Sequence, residues 1–341
     1  MNEPAAAEKP VAVRFGEAFR FWLKLGFISF GGPAGQIAIM HRELVDERRW
    51  ISERRFLHAL NYCMLLPGPE ATQLATYLGW LLHRTRGGIV AGTLFVLPSL
   101  AILSTLAWIY LRWGHVPAIA GALSGVKPVV VAIVLHAAWR IGRRTLRHPL
   151  LWAIAVAAFV ALEGFDVPFP AIVVGAALAG AALARVEPRA FSGSIGHASG
   201  VGAHAPAVID DDTPTPPHAR WSARRFVAVV AVFVAIWGAA FGALVATFGA
   251  NGTLAAMGWF FTKAALVTFG GAYAVLPYIV QHAVDHQGWL TASQMIDGLA
   301  LGETTPGPLI MVVAFVGFVG GWTHALFGPD ALALAGIAGA A

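Results

Sequence analysis

The residues best placed to do chemistry in this chain are glycines and prolines, and they come in two matched sets. Phe30-Gly31-Gly32-Pro33 is followed, beyond a charged spacer, by Pro67-Gly68-Pro69, and Phe269-Gly270-Gly271 is followed by Pro306-Gly307-Pro308. Residues 21–69 align without a gap to residues 260–308, at a constant offset of 239, and 12 of the 49 positions are identical. The identities include Trp50/Trp289 and Lys24/Lys263, each lysine six residues before its Phe-Gly-Gly. Their chemistry is binding, not bond-making. Glycine admits close backbone approach because no Cβ intervenes, and proline breaks the helix before it while starting the next one well. Gly- and Pro-interrupted apolar segments at corresponding places in two halves point to a transporter's binding site. The competing reading of each break is plain kinking or close helix packing. Repetition of both elements at fixed spacing favours the site.

Ionisable and polar residues in apolar runs join the candidates, because they are costly there. Lys127 stands near the middle of an apolar run, 116–139, directly before Pro128. Its other reading is a charge paired to a carbonyl that the proline frees. Lys24 and Lys263 could equally snorkel from helix ends. Glu70 and Glu303 flank the two Pro-Gly-Pro elements on opposite sides. Either could carry a proton, and Glu70 could instead serve as a first-turn charge on a half-helix. Gln73 and Thr305 are neutral donors near the breaks. A lone cysteine, Cys63, excludes an internal disulfide and any multi-cysteine metal site. His197, His204 and His218 are widely spaced and lack Cys or carboxylate partners at ligand spacing. No HExxH, Ser–His pair or intramembrane Asp pair is present, so a membrane-embedded enzyme is the disfavoured alternative and no cofactor is implied.

Composition sets the medium. The chain is 57% hydrophobic and 12% charged, with a mean hydropathy of +0.68, against roughly 25% charged residues in soluble domains. That excess of apolar surface needs lipid. A net charge of +5 could suggest nucleic acid, but the basic residues sit in short clusters between apolar runs, which is the pattern of membrane orientation. The expected fold is an all-α polytopic membrane protein. The chain divides into an N-terminal tail (1–14), a first repeat (15–184), a flexible water-exposed linker rich in Ser, Gly, His, Pro and Asp (185–225), and a connecting helix with the second repeat (226–341). Met1 to Pro10 has no signal-peptide pattern. The last apolar run, Ala331 to Ala341, lacks caps and a polar tail, as expected of a truncated chain.

Charge placement orients the two copies. The spacer 41–58 holds five arginines, while its counterpart, 280–297, holds no Lys or Arg. Cytoplasmic loops carry the Lys/Arg excess, so the first spacer is expected inside and the second outside, making the halves inverted repeats. Counting crossings agrees if the Gly/Pro-broken segments are re-entrant or discontinuous. Such backbone is tolerated only where it is buried in protein or lines a cavity.

These motifs, with the Arg-rich spacer around Trp50, the Gly125-Val126-Lys127-Pro128 segment and Thr305 before the second Pro-Gly-Pro, resemble the chromate ion transporter family from about residue 15 to 325. The resemblance implies a multi-pass bacterial inner-membrane protein of two homologous halves that exports chromate and so confers resistance, with sulfate or another oxyanion as the alternative substrate. Protons are the coupling ion it leaves open, and a homodimer the assembly. Chromate and sulfate are tetrahedral dianions, which half-helix N-termini can hold through unpaired N–H groups and the helix dipole. The implied translocation site therefore comprises Gly31, Gly32, Pro33, Pro67, Gly68, Pro69, Glu70 and Gln73 from one half, Gly270, Gly271, Glu303, Thr305, Pro306, Gly307 and Pro308 from the other, and the cations Lys24, Lys127 and Lys263.

Overall fold

Pro98, Pro128 and Pro277 lie inside helices, whereas helices end beside both Pro-Gly-Pro elements in the computed structural model. It describes residues 11–30, 32–146, 148–165, 167–186, 206–214, 216–269 and 272–341. Every regular element among them is helical. α1 (Phe15–Ile28) buries Phe21, Trp22 and Leu25 and ends where the Ser29 hydroxyl turns back to the Leu25 carbonyl at 2.6 Å. α2 (Gly32–His41) begins at a glycine with φ +66°. It runs into a π-helical stretch, Arg42–Glu47, and the chain reverses at Arg49 (φ 52°). α3 (Glu53–Leu65) is capped by Ser52, whose hydroxyl accepts the Arg55 N–H.

The second copy folds the same way. α9 (Thr253–Val267), α10 (Ala272–Val280), a π-helical stretch (Gln281–His286) and α11 (Ala292–Thr304) match the first set within one residue at the offset of 239. The reversal falls at Gly288 (φ 59°), the position of Arg49, and Thr291 caps α11 where Ser52 caps α3. Even the core contacts match: Phe21 meets Trp50 edge-on at 5.3 Å, and Phe260 meets Trp289 at 5.8 Å. Each pair lies in its own apolar core.

α4 (Glu70–Trp113) contains a break at His83 and Arg84, where Arg84 takes φ 55° and ψ −151°. Its two arms fold back on each other, because Gly79 and Gly87 leave no Cβ between facing backbones. The basic cluster 83–86 is thus the turn of a helical hairpin. In the second half α12 (Val312–Thr323) and α13 (Leu332–Ala340) pack as closely, with Gly317 and Gly321 against the backbones of Gly339 and Ala335. α5 (Pro117–Thr145), α6 (Pro149–Phe165) and α7 (Phe169–Val186) follow α4 in the chain. α8 (Ala223–Phe248) is 26 residues long and has no buried residue. An apolar helix of that length, largely uncovered apart from its contact with α9, matches a bilayer crossing.

The described part of the linker is more structured than its composition suggests. Ala207 and Ile209 are buried, and the strand-like segment holding them pairs with residues 49–52. The Val208 and Ile209 N–H groups donate to the Arg49 and Trp50 carbonyls, each at 3.0 Å, and the Ser52 N–H donates to the Ile209 carbonyl at 3.0 Å. Alternating apolar residues and an Asp210 side chain that accepts the Ala207 and Asp211 N–H groups supply the order that a mean over Ser, Gly and Pro conceals. His197 and His204 lie outside the described residues. His218 packs edge-on against Trp80 at 5.0 Å.

Candidate functional site

The two breaks meet. The Gly68 N–H donates to the Thr268 carbonyl at 2.7 Å, and the Gly307 N–H donates to the Ser29 carbonyl at 2.8 Å. Each bond is the other displaced by 239 at both ends. Thr268 and Ser29 end α9 and α1, and their hydroxyls turn back equally, to Ala264 and Leu25, at 2.6 Å each. Each half-helix end is therefore closed by the Pro-Gly-Pro of the other copy. Both glycines need their missing Cβ, since Gly68 has φ +120° and Gly307 has φ +108°, backbone that L side chains rarely adopt.

Polar side chains gather around this crossing. Fully buried Gln36 donates from Nε2 to the Gly307 carbonyl at 2.5 Å, and Gln73 donates to the Pro67 carbonyl at 2.6 Å. Ser99, next to Pro98 inside α4, is buried beside Gly307. Thr305 is buried and donates to the Gly302 carbonyl at 3.2 Å. Tyr273 donates to Glu303 at 2.7 Å and lies near Gly32. Glu70 sits in the first turn of α4 after Pro69 and pairs with no described residue. Pro33 lies in the first turn of α2, where a missing N–H costs nothing, and Pro306 and Pro308 bracket Gly307 before α12. Gly31, Gly270 and Gly271 lie outside the described residues.

The lysines do not join the crossing; each has its own setting. Lys24 donates to Glu43 at 2.8 Å, and Arg48 also donates to that carboxylate, at 3.2 Å. Burial pushes the Glu43 carboxyl up, but these two cationic hydrogen bonds outweigh it and hold it below the usual range. The equivalent pair in the second copy is Lys263 and His282. There His282 stacks on Phe260 at 4.0 Å, and burial, with the charges of Lys263 and His286, lowers its pKa to about 4. Lys263 therefore faces a neutral ring instead of a carboxylate, and it lies 5.8 Å from the Trp259 ring centroid. Lys127 reaches Asp297 at 3.0 Å, and Tyr110 donates to the other oxygen of that carboxylate, also at 3.0 Å.

Sequence reasoning passed over Gln36, Ser99, Tyr273, Tyr110, Glu43 and Asp297. Glu43 and Asp297 stood in the spacers, where charges are ordinary. Only the fold shows both carboxylates buried. Gln36, a lone amide in the apolar stretch after Gly-Gly-Pro, was the one visible signal.

Among the described residues the crossing offers backbone carbonyls, amide and hydroxyl dipoles and helix ends in an apolar protein, which suits the passage of a polar solute. Comparison with known proteins agrees. The family profile described as Chromate transporter matches residues 16–181 and 255–340. The chromate transport protein of Pseudomonas aeruginosa is 33% identical over 318 residues, covering 92% of this chain and 68% of that protein. The chromate transport protein of Cupriavidus metallidurans is 28% identical over 311 residues, 88% of this chain and 66% of that one. No solved structure matches the chain. A match that takes in both halves and skips the linker and the connecting helix α8 between them covers the architecture and not a single motif, and by it the chain belongs to the chromate transporter family, a family of membrane transporters.

Proposed function

We propose that this protein exports chromate across the bacterial inner membrane, through two inverted repeats whose helix breaks form one composite site. The observation that carries the reading is the reciprocal pair of hydrogen bonds, Gly68 to Thr268 and Gly307 to Ser29. A contact exchanged in both directions between equivalent residues is what a two-fold relation between repeats requires. With a spacer of five arginines on one copy and none on the other, an axis in the membrane plane satisfies the positive-inside rule. In this reading 1–14 is a cytoplasmic tail, 15–184 the first repeat, 185–225 a cytoplasmic linker, and 226–341 the connecting helix with the second repeat.

The anion meets neutral donors and half-helix ends at the crossing, where Gln36, Gln73 and Ser99 supply hydrogen-bonding groups. Uncompensated positive charge comes from Lys263 on one approach, while Lys127, paired to Asp297, stands on another. A site of dipoles with cations set apart binds a dianion without trapping it. Glu70, unpaired among the described residues, is the group that would carry a coupled proton. Uptake of labelled chromate into inverted vesicles tests the reading, with sulfate as competitor. Accumulation that depends on Gly68 and Gly307 is expected. Uptake confined to right-side-out vesicles would reverse the direction, and none in either would end the proposal.

A further inference from the structure

The cluster joining α4, α5 and α11 is built unlike an ordinary structural ion pair. Asp297 is nearly inaccessible, with 6% of its side chain exposed, whereas Lys127 is 37% exposed. The carboxylate has two anchors on different elements, the Lys127 ammonium on Oδ1 and the Tyr110 hydroxyl on Oδ2. Among the described residues the ammonium has the carboxylate at 3.0 Å and only a long contact, 3.4 Å, to the Ser293 hydroxyl. One partner is thus fixed and buried, and the other is tethered through a single close contact and open to a solute.

Position adds to this. At the equivalent place in the first copy stands His58, which is exposed, so the carboxylate is a feature of one repeat alone. Asp297 precedes Gly307 by ten residues, mostly along α11, or about 15 Å at the helical rise. The cluster therefore stands off the crossing, on an approach to it. A cation alone in an apolar setting would hold a dianion tightly, and a carboxylate alone there would be costly. Paired, the two are neutral at rest. A dianion reaching Lys127 competes with Asp297 for one ammonium, and Tyr110 still holds the carboxylate when Lys127 turns away.

We propose that Asp297 is the resident counter-ion of Lys127, displaced from it by the tetrahedral dianion during transport and returning to it to drive release. This rests on the anion-transport reading above and assigns Asp297 and Tyr110 a part in it.

The test is chromate uptake into inverted vesicles, with KM and maximal rate measured separately and the amount of protein in the membrane determined by immunoblot. Asp297→Asn keeps the shape and can still accept from Tyr110, but frees the lysine. Its KM should fall by about tenfold, roughly 1.4 kcal/mol of removed competition, while the maximal rate drops because release slows. An unchanged or raised KM overturns the proposal. The exchanged pair, Lys127→Asp with Asp297→Lys, restores an ion pair of purely structural use. It should remain inactive, and transport at the original KM would overturn the proposal even if Asp297→Asn fails to accumulate. Lys127→Gln separates the two levels: wild-type kinetics there removes Lys127 from the anion path, whereas lost uptake with an unshifted Asp297→Asn leaves the transport reading standing and removes only the exchange.

Discussion

Gly68 and Thr268 are joined by a hydrogen bond of 2.7 Å whose image, between Gly307 and Ser29, measures 2.8 Å. The donors are the central glycines of the two Pro-Gly-Pro elements, and the acceptors are the last carbonyls before the two breaks in the opposite copies. These N–H groups hold the halves together, so an anion at the crossing must use other donors or open these bonds. The bonds serve as a joint between the repeats.

Alanine at either glycine should damage that joint unequally. Both positions have left-handed φ, a strain of about 1–3 kcal/mol for an L side chain. A Cβ at Gly68 would meet the movable end of Gln73 at 2.7 Å, while one at Gly307 would overlap Ser99, which is buried in α4. Gly307→Ala should therefore lower the melting temperature in detergent further than Gly68→Ala, and Ser99→Gly should recover part of the loss. Equal melting temperatures for the two alanine variants would contradict the packing described here.

The repeated lysines should differ in kind. The charge of Lys24 is committed to Glu43 at 2.8 Å, while Lys263 faces the neutral His282. Lys263→Gln is expected to raise the chromate KM by about tenfold, the scale of one lost charge contact, and Lys24→Gln to leave KM within about twofold. His282→Glu should reproduce the Lys263 defect by giving that lysine a partner. Matching KM values for the two lysine variants would show that the carboxylate does not shield Lys24.

Acid should weaken the two copies in separate pH ranges. Glu43 is held below its ordinary value of 4.5 by Lys24 and Arg48. A carboxylate depressed in the folded state adds stability that is complete above the unfolded value and is lost as pH falls through the lower folded one. Thermal unfolding followed from neutral pH to about pH 3 should show this loss, and Glu43→Gln should flatten that part of the curve while lowering stability at neutral pH. The second repeat has His282 at that position, lowered from 6.5 to about 4 chiefly by burial, so its own loss falls between those values as the buried ring is charged, and His282→Gln should flatten that higher limb while leaving the Glu43 limb in place.

The backbone side of this molecule was readable from the chain; the side-chain partnerships were not. Glycine and proline act locally, so the helix ends beside residue 68 and its copy fit residue type, although Pro98, Pro128 and Pro277 stay inside helices. Asp297 and Glu43 are a different matter. Hydropathy draws a spacer wherever charges occur, and both acids fell inside one. What buries them is α4 and α5 in one case and α1 in the other, elements far away in sequence. Tyr110 and Asp297 are separated by 187 positions, and no periodicity connects them. Ala207 and Ile209 were hidden for the opposite reason, because two apolar residues cannot raise the average of a polar stretch.

That docked segment also provides a test of orientation. Ile209 is buried against the first spacer, the Asp211 carboxylate accepts from the Ser52 hydroxyl at 2.6 Å, and Arg55 donates to the Thr213 carbonyl. Ser52 is also the cap of α3, so losing the segment would leave the cap without its carboxylate partner while its bond to Arg55 remains. Ile209→Asp puts a charge into an apolar seat and should release the segment, since an unpaired buried carboxylate costs several kcal/mol. Arg220, Arg224 and Arg225 lie just beyond it, and the Arg225 guanidinium is held by the Pro217 and His218 carbonyls. Trypsin should then cut the variant there much faster than the parent protein. If the first spacer faces the cytoplasm, faster cutting will appear in inverted vesicles and not in intact spheroplasts. Cutting in spheroplasts alone would place the arginine-rich spacer outside and reverse the orientation of both repeats.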